Sequence, residues 1–537
     1  MTTDNPQQRY RVEATRRIFP KTPVQGPVLS KLSIIDATVG RFAPAAAIWL
    51  YDKSEQAQLP YPELFETFAL ALSETLNDYP HFAGQIQWAA KEMVENDPNP
   101  RHLGRPVVVH GTPTDPGVEL IIAKYDQNLE NVVPSRADRA DRLKVWNATD
   151  FRQTDFLPDT KIALSSLNQL EGLPSMAVQL TAFNCGGIGV SATISHPLAD
   201  ATCLMNFMRS WAARSRALLK SDGASSDGEI VKPVFDPSLL DRVAGLVHGE
   251  LPDSAKVEKA RSLPMHRYDW WAEDAPGFPA WSKTATKATM PAPEELPNVK
   301  LSPSEFPPWP TWDLGAVVEH VQIRFSSDEM GRMKEAAQQS LPEDLRSHNV
   351  SRLDSILAHV WTLMNHARDL PTDERVYMDL TLGIRHRVDP PLPESFAGSP
   401  LLLAYVEKTA GEAASAPLGH VAGEIRRTMS LFSPDAVAAY IHDAAHEVSP
   451  QRLWQAFLGS NHALVTSWVR AKTYELDFLG TKELARYVQG VMPKLDGLVQ
   501  VTDVADTGGF DVSICLKRDV MKRLLEDPLL RKYELSW

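Results

Sequence analysis

The chain has 537 residues, of which 43% are hydrophobic and 23% are charged, a composition typical of a globular protein large enough for two domains. Its net charge of −13 argues against a nucleic-acid partner, which would favour a basic surface. No apolar run reaches the roughly 18 residues that cross a bilayer, so we expect no membrane partner. Three scattered cysteines and an amino terminus without a secretory pattern predict a cytoplasmic protein.

Helix-like and strand-like segments alternate in the first part of the chain. Apolar residues at helical spacing predict helices, and runs of β-branched residues between Gly, Pro and Asp predict strands. In chain order we predict a helix at 61–76, strands at 107–110, 118–123, 175–184 and 188–195, and a helix at 202–219.

The composition changes after the helix predicted at 202–219. Residues 221–229 are rich in Gly, Ser and Asp and predict a flexible connection. Residues 264–312 are crowded with proline and tryptophan, which predicts a long irregular crossover packed onto the surface by its tryptophans. Regular elements then resume: a strand at 318–325, helices at 327–338 and 351–367, a strand at 508–516 and a helix at 518–525. Two α/β halves joined by a long crossover are therefore expected.

A histidine follows the predicted strand 188–195, in the segment His196-Pro197-Leu198-Ala199-Asp200. An imidazole, with an ordinary pKa near 6.5, is suited to remove a hydroxyl proton at neutral pH. Asp200 can hold the turn that presents the ring, directly or through an arginine. The spacing alone is weak evidence, because such windows arise by chance and most isolated histidines are structural.

Six segments in the same order resemble the BAHD acyltransferase family of plants and fungi, and the chain is similar to a fungal-type member. They are residues 76–85, with Tyr79-Pro80 and Ala83-Gly84; the H-x-x-x-D segment from His196 to Asp200; residues 351–361; Arg385-His386-Arg387 with Pro390-Pro391-Leu392-Pro393 and Gly398; Thr466-Ser467-Trp468 with 474–478; and residues 508–516.

The resemblance implies a fold class and a domain organisation. The fold would be α/β with mixed sheets, in two similar-sized domains like chloramphenicol acetyltransferase with an active-site channel between them. We expect an N-terminal domain over 1–218 with the H-x-x-x-D motif, a crossover linker over 219–317, and a C-terminal domain over 318–537.

The resemblance also implies a mechanism in which His196 is the general base. It would take a proton from the acceptor, which attacks the thioester of an acyl-CoA directly, without an acyl-enzyme. Asp200 would orient the site, paired with Arg385 or Arg387. Those two arginines and Asp477 are expected to be a structural set of salt bridges between the domains.

The remaining expected site residues would contact the two substrates. Thr466 and Trp468 would donate hydrogen bonds near the developing oxyanion, and Ser351 and Arg352 would bind the CoA phosphates. The co-substrate would be acyl-CoA, with acetyl-CoA as the expected donor, and no cofactor would be permanently bound. The acceptor would be a small molecule, a natural-product alcohol, and the protein a monomer.

Some residues depart from the family pattern and keep other functions open. Residues 477–481 read Asp-Phe-Leu-Gly-Thr where the family has D-F-G-W-G, and Ser399 replaces the asparagine of G-N. A drifted reaction such as a cyclisation is therefore one alternative. A condensation-type catalyst is another, although Ser195 lies where that class carries a second histidine. His442 and His446 have metal-ligand spacing on a predicted helix, but no third ligand is evident, so no metal is expected.

Overall fold

The structure is a computed structural model that describes residues 9–55, 59–164, 167–220, 230–505 and 507–534. The connection predicted at 221–229 lies outside the described residues. None of the helices within these ranges combines the length and the apolar character needed to cross a bilayer.

The described residues form eighteen strands. In chain order they are β1 (Tyr10–Ile18), β2 (Val28–Lys31), β3 (Ala45–Tyr51), β4 (Gln85–Trp88), β5 (Pro106–His110), β6 (Val118–Tyr125), β7 (Val145–Asn147), β8 (Met176–Phe183), β9 (Ile188–Ile194), β10 (Tyr268–Asp269), β11 (Val318–Phe325), β12 (Arg375–Gly383), β13 (Leu401–Thr409), β14 (Leu453–Trp454), β15 (His462–Ser467), β16 (Tyr487–Gly490), β17 (Leu498–Val504) and β18 (Gly509–Lys517).

Fourteen α-helices lie in the same ranges of the chain. They are α1 (Ile34–Thr38), α2 (Tyr61–Thr75), α3 (Lys91–Val94), α4 (Arg136–Asp141), α5 (Ala201–Leu219), α6 (Ser238–Asp241), α7 (Ser254–Arg261), α8 (Ala280–Lys287), α9 (Ser327–Gln339), α10 (Arg352–Arg368), α11 (Ala410–Ser415), α12 (Leu418–Leu431), α13 (Pro434–Ala445) and α14 (Arg518–Glu526). The helices and strands predicted in the two halves are confirmed, with ends that differ by at most two residues, because each has a clear apolar periodicity.

Two mixed sheets form the framework of the molecule. The first has six strands in the order β1-β6-β8-β9-β3-β16, in which only β6 and β8 are parallel. The second has seven strands in the order β13-β12-β15-β17-β18-β11-β7, in which β15 is parallel to β12 and β17. Helices α2 and α5 pack on the first sheet, and α9, α10, α12 and α14 on the second, so that each sheet has its own buried apolar core.

Each sheet takes one edge strand from the opposite half of the chain. Strand β7 precedes residue 218 but pairs with β11 of the second sheet. Strand β16 follows residue 318 but pairs with β3 of the first sheet. The domain boundaries at 218 and 318 stay a prediction, and these two short strands cross them.

The crossover contains more regular structure than its proline content predicts. The expectation of an irregular segment over 264–312 is wrong at helix α8 and at β10, which pairs with β14. The expected packing of its tryptophans is confirmed, since Trp270 and Trp309 are buried with Phe457 in a small aromatic core. Prolines lie between these short elements, where a missing N–H interrupts no ladder.

Candidate active site

His196 comes two residues after the end of β9 and begins a short 3₁₀ turn. The hydroxyl of Ser195 donates a hydrogen bond to the carbonyl of Ala163 and is buried. Pro197 lies in the first turn of the 3₁₀ segment, where its ring fixes the backbone angle φ. The backbone of His196 is therefore held on both sides.

The imidazole of His196 contacts residues from both halves of the chain. Its Nδ1 lies 2.9 Å from the hydroxyl oxygen of Ser399, and its ring meets Phe42 edge-on at a centroid distance of 4.9 Å. Its Nε2 makes no hydrogen bond within the described part of the chain. Burial lowers the pKa of His196 to about 4, against the opposing negative charge of Asp200. The ring is therefore unprotonated at neutral pH.

Ser399 is itself held by a buried carboxylate. Its backbone N–H donates to Oδ1 of Asp36 at 2.6 Å. The other oxygen, Oδ2, accepts from the hydroxyl of Ser33 at 2.6 Å, and Ser33 caps helix α1. Burial raises the pKa of Asp36 to about 7, although the hydrogen bonds from Ser33 and Ser399 oppose the shift. A continuous set of contacts thus runs from Asp36 through Ser399 to His196.

Asp200 has its carboxylate turned to an arginine and to a helix end. Nη2 of Arg385 donates to Oδ1 at 2.9 Å, and Nη1 contacts Oδ2. Oδ1 also accepts from the N–H of Cys203, so the side chain of Asp200 caps helix α5. The backbone N–H of Asp200 donates to the carbonyl of Gly398 at 3.1 Å. Because Ser399 is the next residue, this pair joins the His196 turn to the segment that holds its imidazole.

The other two residues of the expected salt-bridge set are not part of this pair, and that expectation is wrong for them. Arg387 donates instead to the carbonyls of Met429 and Phe432. Asp477 accepts three backbone N–H groups of its own loop, from Leu479, Gly480 and Lys482. These hydrogen bonds close the loop, and no ion pair joins Arg387 to Asp477 among the described residues.

The altered loop after Asp477 keeps a defined conformation. Gly480 has φ of +76°, a left-handed angle that glycine adopts without strain. Phe478 is fully buried between Trp211, at 5.0 Å, and Phe68, at 5.3 Å. No hydrogen bond or ring contact among the described residues joins this loop to His196, so its changed sequence leaves the imidazole environment as described.

Thr466 and Trp468 lie at the end of β15, where the two sheets approach. Thr466 pairs with Gln500 of β17, and Trp468 is buried in the apolar core of the first sheet. Within the described ranges, neither the hydroxyl of Thr466 nor the indole N–H of Trp468 donates a hydrogen bond, and neither residue shares a hydrogen bond or ring contact with His196. Both donors are therefore unused within the described chain, and their role at the oxyanion stays a prediction.

Ser351 and Arg352 begin helix α10. The hydroxyl of Ser351 accepts from the N–H of Asp354 at 3.1 Å, and the Asp354 carboxylate accepts from the N–H of Ser351 at 2.7 Å. This capping box engages two of the N–H groups that an anion could bind at a helix N-terminus, those of Ser351 and Asp354. Arg352 is exposed and makes no ion pair in the described chain. The phosphate-binding role of this pair stays a prediction, and the guanidinium is its available group.

An apolar wall stands beside the imidazole. Phe42 lies between the rings of His196 and Trp454, and meets Trp454 edge-on at 4.8 Å. Next to Phe42 is a cavity of about 10 Å³. It is lined by Thr38, Val39, Phe42, Leu401, Leu403, Leu453, Trp454 and Gln455. This volume is about that of a single water site, so a larger molecule can enter only if the rings move.

Three residues around His196, namely Ser399, Phe42 and Asp36, cannot be predicted from the sequence motifs alone. In the motifs, Ser399 appears only as a departure from G-N, and Phe42 lies in none of them. Asp36 could have been found as the acidic member of a Ser-x-x-Asp capping box at the start of α1. Its contact with Ser399, 363 residues later, has no local pattern.

Sequence comparisons relate this chain to known acyltransferases. A family model described as "Transferase family" matches residues 113–260 and 271–530. The chain is 24% identical over 533 residues to the acyltransferase AFT15-1 of Alternaria alternata, with 96% of each chain covered. It is also 24% identical over 540 residues to the acyltransferase abl6 of Leptosphaeria maculans, covering 98% of this chain and 99% of that protein.

Solved structures share the fold at lower sequence identity. TRI101 of F. graminearum, complexed with coenzyme A and deoxynivalenol, is 15% identical with a TM-score of 0.65, and 94% of this chain and 99% of that chain are covered. Vinorine synthase is 17% identical with a TM-score of 0.61, over 96% and 98%. The predicted fold class is confirmed by these likenesses. Since the family model matches more than half of its residues, the chain belongs to the Transferase family, the BAHD acyltransferases, and is an acyl-CoA-dependent acyltransferase.

Proposed function

We propose that this enzyme transfers an acetyl group from acetyl-CoA to a hydroxyl of a natural-product alcohol, with His196 as the general base. The observation that carries the proposal is the orientation of one imidazole, whose Nδ1 is engaged by Ser399 while its Nε2 makes no hydrogen bond in the described chain. Coenzyme A is present in the TRI101 structure that shares this fold, which supports a CoA thioester as the donor.

The tautomer of His196 follows from its partner. When Nδ1 carries the hydrogen and donates to the hydroxyl oxygen of Ser399, the lone pair lies on Nε2. Nε2 then takes the proton of the acceptor hydroxyl as its oxygen attacks the thioester carbonyl. The new C–O bond gives a tetrahedral oxyanion, which collapses by breaking the C–S bond, and the CoA thiolate leaves with the proton from Nε2.

The lowered pKa of His196, about 4, fits both proton transfers. At neutral pH the ring is unprotonated before the attack, so the enzyme is not held in the inactive imidazolium form. After the attack the half-buried imidazolium is unfavourable, which favours return of the proton to the thiolate. Thr466 and Trp468 would stabilise the oxyanion with their available donors, each contributing about 3 kcal/mol.

A covalent acyl-enzyme is disfavoured by the burial of the nearby nucleophiles. Ser399 has a hydroxyl 2.9 Å from the imidazole, but the residue is 0% exposed and cannot reach a thioester without opening the site. Cys203 is also buried, and burial raises the pKa of its thiol to about 12. Direct attack by the acceptor needs neither group.

The two alternative functions find less support in the site. A condensation-type catalyst carries a second histidine where this chain has Ser195, whose hydroxyl is buried and donates to the carbonyl of Ala163. A drifted reaction is the alternative indicated by the altered loop at Asp477, but that loop shares no hydrogen bond or ring contact with His196 within the described residues. The monomeric state and the cytoplasmic location stay predictions.

The test is thiol release from a panel of acyl-CoAs in the presence of candidate alcohols. We expect acetyl-CoA to be the best donor, and His196→Ala to lower kcat by about 10²–10⁴-fold while the protein still folds and binds CoA. His420→Ala is a matched control, because His420 is exposed on α12 and should leave kcat unchanged. Near-normal turnover by His196→Ala would refute the assignment of the base.

A further inference from the structure

A buried cluster of two histidines and an aspartate lies apart from His196. His266 comes from the crossover, Asp379 from β12 and His462 from the start of β15, and their exposed fractions are 6%, 0% and 1%. One ligand atom from each of the three side chains lies within 4.8 Å of the other two. Within the described chain, no residue of the cluster shares a direct hydrogen bond or ring contact with His196.

Two polar atoms in the cluster face each other without a hydrogen bond. Nε2 of His266 is 3.2 Å from Oδ1 of Asp379, yet neither atom has a hydrogen-bond partner within the described chain. The second carboxylate oxygen, Oδ2, accepts from Nδ1 of His462 at 2.8 Å and from the N–H of Phe457 at 3.3 Å. Leaving a buried donor or acceptor unpaired is costly, so the pair points to a ligand between them.

The carboxylate of Asp379 is also buried without an arginine or lysine. Among the described residues its only ion-pair partners are His266 and His462. A buried carboxylate needs a compensating positive charge. The buried guanidinium of Arg368 donates to the carbonyl of His462 and makes no ion pair with Asp379 within the described chain. A cation among the three groups would supply the compensating charge.

We propose that His266, Asp379 and His462 bind one divalent transition-metal ion, for which Zn²⁺ is the best match. Two imidazoles and one carboxylate are ligands that zinc prefers. Around a tetrahedral zinc, neighbouring ligand atoms are about 3.3 Å apart, as follows from bond lengths near 2.0–2.1 Å. The distance of 3.2 Å between Nε2 of His266 and Oδ1 of Asp379 lies close to that value. Nδ1 of His462, which donates to Oδ2, would lose this hydrogen if it were the atom that ligates the ion.

Aromatic rings fix the directions of both imidazoles. His266 is stacked between Tyr268, at 4.6 Å, and Tyr405, at 4.3 Å. His462 is stacked on Tyr377 at 4.9 Å. Rings held in this way lose little rotational freedom when a metal binds, which favours affinity. The ion would connect the crossover to two strands of the second sheet, so its role would be structural.

The pair His442 and His446, which has metal-ligand spacing, is a useful contrast. Nε2 of His442 accepts from the N–H of Asp253 at 3.0 Å, and Nδ1 lies 3.0 Å from the carbonyl of Ala244. Both nitrogens of His442 are therefore engaged, and the pair has no free ligand set. His446 is therefore a matched control for weak zinc binding by a histidine outside the cluster.

The experiment measures zinc retained by the full-length protein, prepared without a polyhistidine tag. The protein is stripped with EDTA, incubated with excess Zn²⁺, desalted and analysed by mass spectrometry. We expect about one zinc per chain, a higher melting temperature with zinc than with EDTA, and loss of both effects in Asp379→Asn and His462→Gln. His446→Gln should retain the metal.

Wild-type protein that retains no zinc, or a His446→Gln variant that loses as much zinc as Asp379→Asn, would overturn the proposal. If the cluster variants fail to fold, the visible absorption spectrum of wild-type protein loaded with Co²⁺ tests the site instead. Visible absorption of low-symmetry cobalt with histidine ligands supports the site, and the spectrum of the hexaaquo ion contradicts it.

Discussion

Nδ1 of His196 and the hydroxyl of Ser399, 203 positions apart in the chain, lie 2.9 Å from each other. The contact spans the two halves of the molecule, so the orientation of the proposed base depends on how the halves meet. Asp36 holds the backbone of Ser399 in turn. In the proposed mechanism, the tautomer and the orientation of the His196 ring thus depend on Ser399 and Asp36, which are both buried.

Removal of the Ser399 hydroxyl should lower the rate without changing the base. Because a neutral hydrogen bond contributes about 1 kcal/mol, we expect Ser399→Ala to lower kcat by up to about tenfold. The KM for acetyl-CoA should stay within about twofold, since no role in CoA binding is assigned to this hydroxyl. Ser399→Thr, which keeps a hydroxyl, should restore most of the rate. Steady-state kinetics would contradict the positioning role if Ser399→Ala and wild type had equal kcat.

Asp200 should be needed mainly for folding. Asp200→Ala leaves Arg385, which is 5% exposed, as a buried charge without its partner, a change that destabilises by about 3–5 kcal/mol. The urea midpoint and the folded yield should both fall. The matched control is Glu66→Ala, which breaks an exposed pair with Arg16 and should change stability by less than about 1 kcal/mol. Equal effects of the two substitutions would argue against a structural role for Asp200.

The pH dependence of kcat/KM should have an acidic limb well below that of a free imidazole. Protonated His196 cannot accept a proton, so activity is lost as the pH falls through its lowered pKa of about 4. An unperturbed histidine would instead give half-maximal activity near pH 6.5. Profiles measured between about pH 5 and 8 should therefore be nearly flat on the acidic side. A half-maximal point near 6.5 would show that the ring is more solvated than described.

Unfolding should be measured over the same pH range. Burial lowers the pKa of His196, His320 and His359 to about 4 each, below the unfolded value. The unfolded chain therefore binds protons first, so stability is present above pH 6.5 and is lost as the pH falls towards 4. Asp36 and Asp503 are shifted upward and oppose this trend. If the urea midpoint did not fall from pH 7 to about pH 5, the lowered histidine pKa values would not dominate the pH dependence of stability.

Trp454 should control the size of the acceptor. Trp454→Ala removes the ring that packs on Phe42 and enlarges the cavity of about 10 Å³ beside it. The ratio of kcat/KM for a bulky over a small alcohol should rise by about tenfold or more. Trp281→Ala is the control, because Trp281 is 57% exposed on the crossover. No change in this ratio would show that acceptors bind elsewhere.

The elements around His196 could be predicted from sequence because their patterns are local. Strand β9 and helix α5 have clear apolar periodicity, and the motif between them is contiguous. Strand β7, with three residues, and strand β16, with four, are too short for a periodic pattern. Their pairing depends on the opposite half of the chain, so it could not be inferred from their own residues.

Side-chain partners were harder to predict than elements. Arg385 and Arg387 are two residues apart and have the same charge, and only the backbone path decides that the first meets Asp200. The cluster at Asp379 is formed by residues more than 80 positions apart, without a repeated spacing. By contrast, helix α8 of the crossover is a local element. It has only 8 residues and lies among prolines, so the sequence does not predict it.

Because β7 and β16 each complete the sheet of the opposite half, neither half of this enzyme can be exchanged with that of a relative as an independent cassette. A chimera joined within the crossover would have to match both borrowed edges as well as the contact between His196 and Ser399. Fragments expressed alone would expose unpaired backbone along β3 or β11, which favours aggregation. Laboratory recombination of such enzymes should therefore exchange loops around the acceptor wall and keep the interlocked framework from a single parent.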